Sequence, residues 1–179
     1  MLMDYFHLSL DPRISDPAEP AGLSNVVKTE MLTSSRSHEL RELELQFPIR
    51  GVGQPTYPDY LERPFPLLSD GLKRLIEMYC PRMPYEPVGL LDIGRMRHDT
   101  YWLMVPPRNA CLSGQSQFHP DGSLKELVLD SNKVGEQMLF QIDGIRETEI
   151  VIHLAVAESL LRRDFTGIKL TRVKQDTSH

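Results

Sequence analysis

The chain has 179 residues, of which 40% are hydrophobic and 25% are charged, and a formal net charge of −5 at pH 7. This length suffices for one hydrophobic core and is short for two, and the composition excludes disordered, collagen-like and disulfide-scaffold proteins. The negative charge argues against a protein that binds nucleic acid by neutralising phosphates, and it suits a basic protein partner better. We therefore expect a single domain over residues 1–179 that binds no nucleic acid.

The sequence also indicates the cellular compartment in which the protein is expected. No apolar run approaches the roughly 20 residues that a membrane-spanning helix needs. Asp4 and His7 interrupt the first ten residues, where a secretory signal has an unbroken apolar stretch. The two cysteines, Cys80 and Cys111, would stay reduced in a cytoplasm. We expect a cytoplasmic protein with no membrane partner.

Turn-forming residues dominate the first third of the chain and predict an irregular, Pro-rich front at about residues 11–66. A strand at 5–10 precedes a loop at 11–22 that contains three prolines. Alternating polar and apolar residues predict a strand at 40–47. Residues 48–66 hold five prolines and predict extended coil, because proline cannot donate to a sheet ladder. The aromatic rings of this Pro-rich segment could form a binding surface or fill the edge of the core.

The clearest helix begins after Ser69 and ends before Pro81. Ser69 is a favoured N-cap residue, and Asp70 lies where the helix dipole stabilises an anion. Apolar residues follow at the spacing of one buried helix face: Leu72, Leu75, Ile76 and Tyr79. A second helix with a wide apolar face is predicted at 154–163.

From residue 86 onward the pattern is mostly that of strands, within a regular region of about residues 64–174. Strands are predicted at 88–93, 101–105, 115–119, 124–129, 138–142, 149–152 and 168–173. Residues 120–123, Pro-Asp-Gly-Ser, predict a β-hairpin turn because proline fixes one φ angle and glycine permits a positive one. The polar residues 174–179 predict a frayed tail.

These elements together predict an α+β fold, with a largely antiparallel sheet of six or seven strands and two main helices packed on it. The helices are not interleaved between strands, which disfavours a doubly wound parallel sheet. The sequence contains no internal repeat and no low-complexity tract.

Residues that could carry chemistry form no strong motif. The six histidines and two cysteines lack the spacing of a metal site. Cys111, His119 and Asp121 could form a nucleophilic constellation if the hairpin brings them together, although the apolar neighbours of the thiol favour a buried cysteine. Gly51-Val52-Gly53 lacks the third glycine and the following helix of a phosphate-binding loop. We predict no catalytic, cofactor-binding or metal-binding residues.

Other polar residues have a functional and a structural interpretation. His98-Asp99 can place a base beside a carboxylate, and Glu42 and Glu44 share one face of a strand, but both patterns are also typical of exposed surfaces. Arg162-Arg163 suits an acidic partner or a lipid headgroup, and it also suits the negative end of a helix dipole. Trp102, the only tryptophan, fits a core better than an interface.

Several segments between residues 64 and 174 form a recognisable succession. They are Phe65-Pro66-Leu67-Leu68-Ser69, Tyr101-Trp102, Lys133-Val134, residues 139–144 (Leu-Phe-Gln-Ile-Asp-Gly), residues 157–163 (Ala-Glu-Ser-Leu-Leu-Arg-Arg) and Gly167-Ile168. The succession resembles a bacterial family first known as a domain of unknown function, whose members serve as immunity proteins of polymorphic toxin systems. The resemblance implies a small cytoplasmic protein that is encoded with a toxin and protects its producer by binding it. The family brings no catalytic residues, and residues 11–62 show no match to it.

We therefore expect a non-enzymatic, immunity-like protein whose partner is a cognate toxin encoded nearby. Two alternatives stay open. One is a small hydrolase or transferase that uses Cys111 and His119. The other is a homo-oligomeric structural or regulatory domain whose Pro- and Tyr-rich segment forms a self-interface.

Overall fold

The computed structural model describes residues 2–51 and 53–178, which form a mixed α+β fold. Its α-helices are α1 (Leu23–Val26), α2 (Asp70–Tyr79) and α3 (Leu154–Leu161), and 3-10 helices span Thr29–Met31 and Ser37–Glu42. Ser69 caps α2 as predicted, since its Oγ accepts a hydrogen bond of 3.2 Å from the Leu72 N–H and donates one of 2.6 Å to Asp59 Oδ1. None of the helices in the described residues is both long enough and apolar enough to span a bilayer.

The strands divide into two larger sheets and two short ribbons. In chain order they are β1 (Tyr5–Leu10), β2 (Gln46–Pro48), β3 (Tyr60–Leu61), β4 (Leu67–Leu68), β5 (Tyr85–Asp92), β6 (Arg97–Met104), β7 (Arg108–Asn109), β8 (Gln117–Phe118), β9 (Leu124–Glu126), β10 (Val128–Asp130), β11 (Leu139–Ile142), β12 (Ile150–His153), β13 (Ile168–Arg172) and β14 (Lys174–Asp176). The first sheet has the order β13-β1-β12-β11-β7, and the second sheet has the order β2-β5-β6-β4-β3. The ribbons are β8-β9 and β10-β14.

The α+β class is confirmed, but the prediction of one largely antiparallel sheet of six or seven strands is wrong. Each five-stranded sheet ends in a parallel pair, β11 with β7 in the first sheet and β2 with β5 in the second. The remaining pairs of both sheets are antiparallel. Periodicity shows which faces of a strand are buried, whereas the choice of partner strand depends on contacts far apart in sequence.

A central cluster of apolar side chains lies between the two sheets and includes both longer helices. Its members include Leu8, Leu68, Leu72, Ile76, Met104, Leu139, Ile150, Ile152, Val156 and Leu160. Strand β6 contributes Met104 to this cluster, and from its other face it contributes Tyr101 and Leu103 to a second apolar cluster, described next. This confirms the expectation of a strand covered on both faces.

A front cluster covers the other face of the second sheet, and the irregular front of the chain supplies much of it. Its members include Leu23, Val27, Leu40, Leu45, Phe47, Val88, Leu90, Tyr101 and Leu103. The strand predicted at 40–47 is wrong over most of its length, because residues 37–42 form a 3-10 helix and only Gln46–Pro48 finds a partner strand. The predicted loop at 11–22 is irregular, yet Ala18 and Pro20 are buried.

A back cluster covers the outer face of the first sheet. Its members include Tyr5, Cys111, Leu129, Val134, Phe140, Ile142, Val151 and Val173. The frayed tail predicted at 174–179 is wrong for Lys174–Asp176, which pairs in parallel with β10. Polar side chains hold it there, since Ser113 Oγ donates to Asp176 Oδ2 at 2.8 Å and Ser131 Oγ donates to the Asp176 carbonyl at 2.9 Å. His179 lies outside the described residues.

Candidate functional site

The structure buries the sulfur of the predicted nucleophilic constellation. Cys111 lies in the back cluster with no exposed surface, and burial raises the pKa of its thiol to about 11. A reactive cysteine needs the opposite environment, exposed and with a lowered pKa. His119 and Asp121 lie in the exposed β8–β9 turn. There the His119 N–H donates to the Ser123 carbonyl, and Ser123 Oγ donates to Asp121 Oδ1. No described hydrogen bond joins either of them to Cys111.

The other acidic and histidine candidates lie apart on the surface. His98 is exposed, and Asp99 accepts hydrogen bonds from the Arg97 guanidinium at 2.6 and 3.2 Å. Glu42 and Glu44 are exposed on either side of Leu43. Within residues 2–51 and 53–178, no group of three or more His, Cys, Asp or Glu side chains is placed to hold a metal ion.

The basic and aromatic candidates have structural roles. Arg163 Nη1 donates to the Ser159 carbonyl at 2.8 Å, which satisfies the carboxyl end of α3. Trp102 is half-buried beside the central cluster, with Lys73 Nζ 4.6 Å from the centre of a Trp102 ring. Val52 of the predicted glycine turn lies outside the described residues.

Rings of the Pro-rich segment pack into the core edge. Tyr60 belongs to the central cluster and Phe65 to the front cluster, and both are buried. Tyr57 is half-buried, with the guanidinium of Arg97 3.7 Å from the centre of its ring. This segment therefore supports β6 from the side, and its side chains are largely committed to the fold.

Two clefts offer volume without a reactive centre. An apolar cleft of about 440 Å³ lies where α2 ends, and its lining includes Tyr79, Cys80, Met83, Pro84, Val105 and Met138. Burial raises the pKa of the Cys80 thiol to about 11, the opposite of the lowered pKa that a reactive cysteine has. A second cleft, of about 350 Å³, has in its lining His7 of the first sheet, whose Nε2 lies 2.5 Å from Glu149 Oε2. No local pattern in the sequence indicates this pair, because its members are 142 positions apart.

The strongest candidate for binding is the turn of the β5–β6 hairpin, which we call the hairpin tip (residues 93–98). The two strands pair without interruption from Tyr85↔Met104 to Asp92↔Arg97. The neighbouring strand β2 follows them only as far as Leu91. All six residues of the hairpin tip are exposed. The hairpin tip therefore extends past the edge strand into solvent.

Two large apolar side chains occupy this exposed turn. Ile93 is 78% exposed and Met96 is 94% exposed. Isolated exposed apolar residues are ordinary, but here two of them share one four-residue turn with Arg95. Met and Arg are enriched in the cores of protein interfaces. A sequence signal did exist, because turns are usually made of small and polar residues rather than Ile and Met.

Internal bonds hold the hairpin tip in one shape. Asp92 accepts hydrogen bonds from the Arg95 backbone N–H at 3.1 Å and from Arg95 Nη1 at 3.0 Å. The side-chain bond with Arg95 lowers the pKa of Asp92, which keeps the carboxylate charged. Arg97 is fixed by Asp99 and by the ring of Tyr57. Such preorganisation reduces the entropy lost on binding.

The backbone of Met96 is unfavourable for the residue that occupies it. Its φ angle is +53°, in the left-handed region that glycine adopts without a steric penalty. A nearly fully exposed methionine gains little from packing to offset this cost. A non-glycine residue in this region of an exposed turn makes Met96 a candidate for a role outside the fold.

The hairpin tip thus presents two apolar side chains and two guanidinium groups on a rigid support, an arrangement suited to contact with another protein. Each of its two arginines forms an ion pair with a nearby carboxylate, Arg95 with Asp92 and Arg97 with Asp99. No protein-family model and no curated protein matches the chain.

Proposed function

We propose that this chain is an immunity-like protein that neutralises a cognate toxin by direct contact, with the hairpin tip as its central anchor. The rigid, solvent-exposed pair Ile93 and Met96 carries this proposal. Inhibition by contact needs an interface of about 800 Å² per partner, built around a few buried anchors and a polar rim. A protruding hairpin with an apolar end suits a concave surface such as an active-site cleft.

The charge of the chain supports a basic partner. Residues 1–66 contain ten Asp and Glu against six Lys and Arg, while residues 67–179 contain fifteen against fourteen. The front therefore carries most of the net charge of −5. Complementary charge accelerates encounter between partners. Because the arginines of the hairpin tip have their own carboxylates, they would not repel a basic toxin.

The sequence resemblance supports the same proposal from a different direction. The resemblance covers residues 64–174, which include both strands of the hairpin. None of the segments that carry the resemblance lies in the hairpin tip. The family resembled acts by binding a toxin and brings no catalytic residues. The burial of Cys111 and the raised pKa of its thiol agree with action by contact.

The test is capture of the product of the adjacent gene, combined with rescue of cells that express it. The double variant Ile93→Asp/Met96→Asp should bind at least about 100-fold more weakly, because two anchors lose apolar contact. Met78→Asp/Leu161→Asp is the matched control. It adds the same charge at two apolar side chains that are each 75% exposed on helices.

The control should bind and rescue as the unmodified protein does. The proposal fails if the neighbouring product is not toxic and co-expression rescues nothing. Equal binding by the double variant and the control would refute the assignment to the hairpin tip.

A further inference from the structure

Strand β13 forms an open edge of the first sheet. It pairs with β1 on one side, and in the described part of the chain no strand lies on its other side. Lys169, Thr171 and Arg172 are exposed, and Ile168 and Leu170 are half-buried against the central cluster. Exposed edges offer unpaired backbone groups to other strands.

The hydrogen bonds to β1 identify which backbone groups face outward. Val173 N–H donates to the Tyr5 carbonyl and Asp11 N–H donates to the Gly167 carbonyl, both at 2.9 Å between directly opposite residues. Hydrogen-bonded and non-hydrogen-bonded pairs alternate in an antiparallel ladder. The intervening outward residues are therefore Ile168, Leu170 and Arg172. Outside the strand ladders, no described hydrogen bond uses the backbone N–H or C=O groups of these three residues.

We propose that β13 pairs with β13 of a second copy of this chain, antiparallel and centred on Leu170. This register is the one that uses all three outward residues of both copies, and it would make six backbone hydrogen bonds. Leu170 would face Leu170 of the second copy, and Ile168 would face Arg172. The two first sheets would join into a continuous ten-stranded sheet, a form of β-strand addition.

The charges of β13 favour self-pairing in this register. Lys169 would face Thr171 of the second copy, so no like charges are directly opposite. Arg172 is already neutralised by Asp4, which lies 2.6 Å from its guanidinium. A register centred on Lys169 would place the two lysines face to face and is disfavoured. The strand therefore opposes no like charges in the register that uses all three outward residues of both copies.

Charge variants at Thr171 test this register. Thr171→Lys would place two like-charge pairs across the interface, and Thr171→Glu would place two opposite-charge pairs there. Sedimentation equilibrium of the full chain should show a dimer whose dissociation constant rises about 2- to 30-fold in T171K and falls in T171E. Leu170→Pro removes an outward N–H that β1 does not use, so it should yield a folded monomer.

Three results would overturn the proposal: a monomer at 100 μM, equal dimerisation of T171K and T171E, or a folded Leu170→Pro variant that still dimerises. If the unmodified protein is a monomer and its Leu170→Pro variant no longer captures the toxin, the edge of β13 binds the toxin instead. The double variant at Ile93 and Met96 should dimerise normally. Failure of this proposal is therefore distinguishable from failure of the proposed function.

Discussion

Replacing Met96 by glycine should stabilise the fold and weaken toxin binding. The residue has a φ angle of +53°, and its side chain is 94% exposed. A non-glycine residue in the left-handed region costs roughly 1–2 kcal/mol, which glycine avoids. Glycine in turn loses roughly 0.5–1 kcal/mol of extra backbone entropy on folding.

The expected net gain in the free energy of unfolding is about 0.5–1 kcal/mol. For a chain of this length, such a gain corresponds to a rise of roughly 1–4 °C in Tm. Burial of a methionine side chain contributes about 1.5–3 kcal/mol, so losing this anchor should raise the Kd for the toxin by roughly 10- to 150-fold. Urea denaturation and calorimetric titration with the toxin measure the two effects.

Met78→Gly is the matched control, because Met78 is also exposed but lies within α2. Glycine there should destabilise the fold by about 1 kcal/mol and leave binding unchanged. A Met96→Gly protein that is less stable than the unmodified protein, as Met78→Gly should be, would contradict this prediction, and so would one that binds the toxin as tightly as the unmodified protein.

Three further predictions concern the fold and the alternative function. In the native protein at pH 8, a thiol reagent should not label Cys111. Rapid labelling before unfolding would instead support the alternative of a cysteine-dependent enzyme. Gly167→Ala should lower the free energy of unfolding by about 2–4 kcal/mol, because φ is +78° and the new Cβ would lie 2.4 Å from a carbon of Pro58. The control Gly135→Ala, where φ is +71° and the space is open, should lower it by only about 1 kcal/mol. Because Arg95 lowers the pKa of Asp92, stability from this pair is present above the unfolded pKa and is lost as pH falls through the lower folded value. The stability difference between the unmodified protein and Asp92→Asn should therefore shrink below about pH 4, and a constant difference from pH 6 to 3 would contradict this.

Strong local signals predicted most of the regular elements. The cap at Ser69 and the apolar spacing after it predicted α2, and continuous apolar runs predicted β5 and β6. The turn at 120–123 predicted the β8–β9 ribbon. These elements form where short-range preferences and burial agree.

Long-range pairing was beyond such signals. Strand β14 has the sequence Lys-Gln-Asp, which has little strand preference, and it is held by serines more than 40 positions earlier. The parallel pairing of β2 with β5 likewise depends on tertiary contacts. The one sequence signal for the hairpin tip is the presence of Ile93 and Met96 where turns usually have small, polar residues. The order of residues does not show that Met96 has a positive φ or that Ile93 stays exposed, so the geometry is needed to identify this turn as a binding surface.

The most direct test is a titration of the toxin's activity with increasing amounts of this protein. Action by contact predicts that toxin activity falls linearly and is abolished near one equivalent, and that this inhibition is lost with the double variant at Ile93 and Met96. Protection by a small fraction of an equivalent, with chemical change in the toxin or its product, would show turnover and contradict the account.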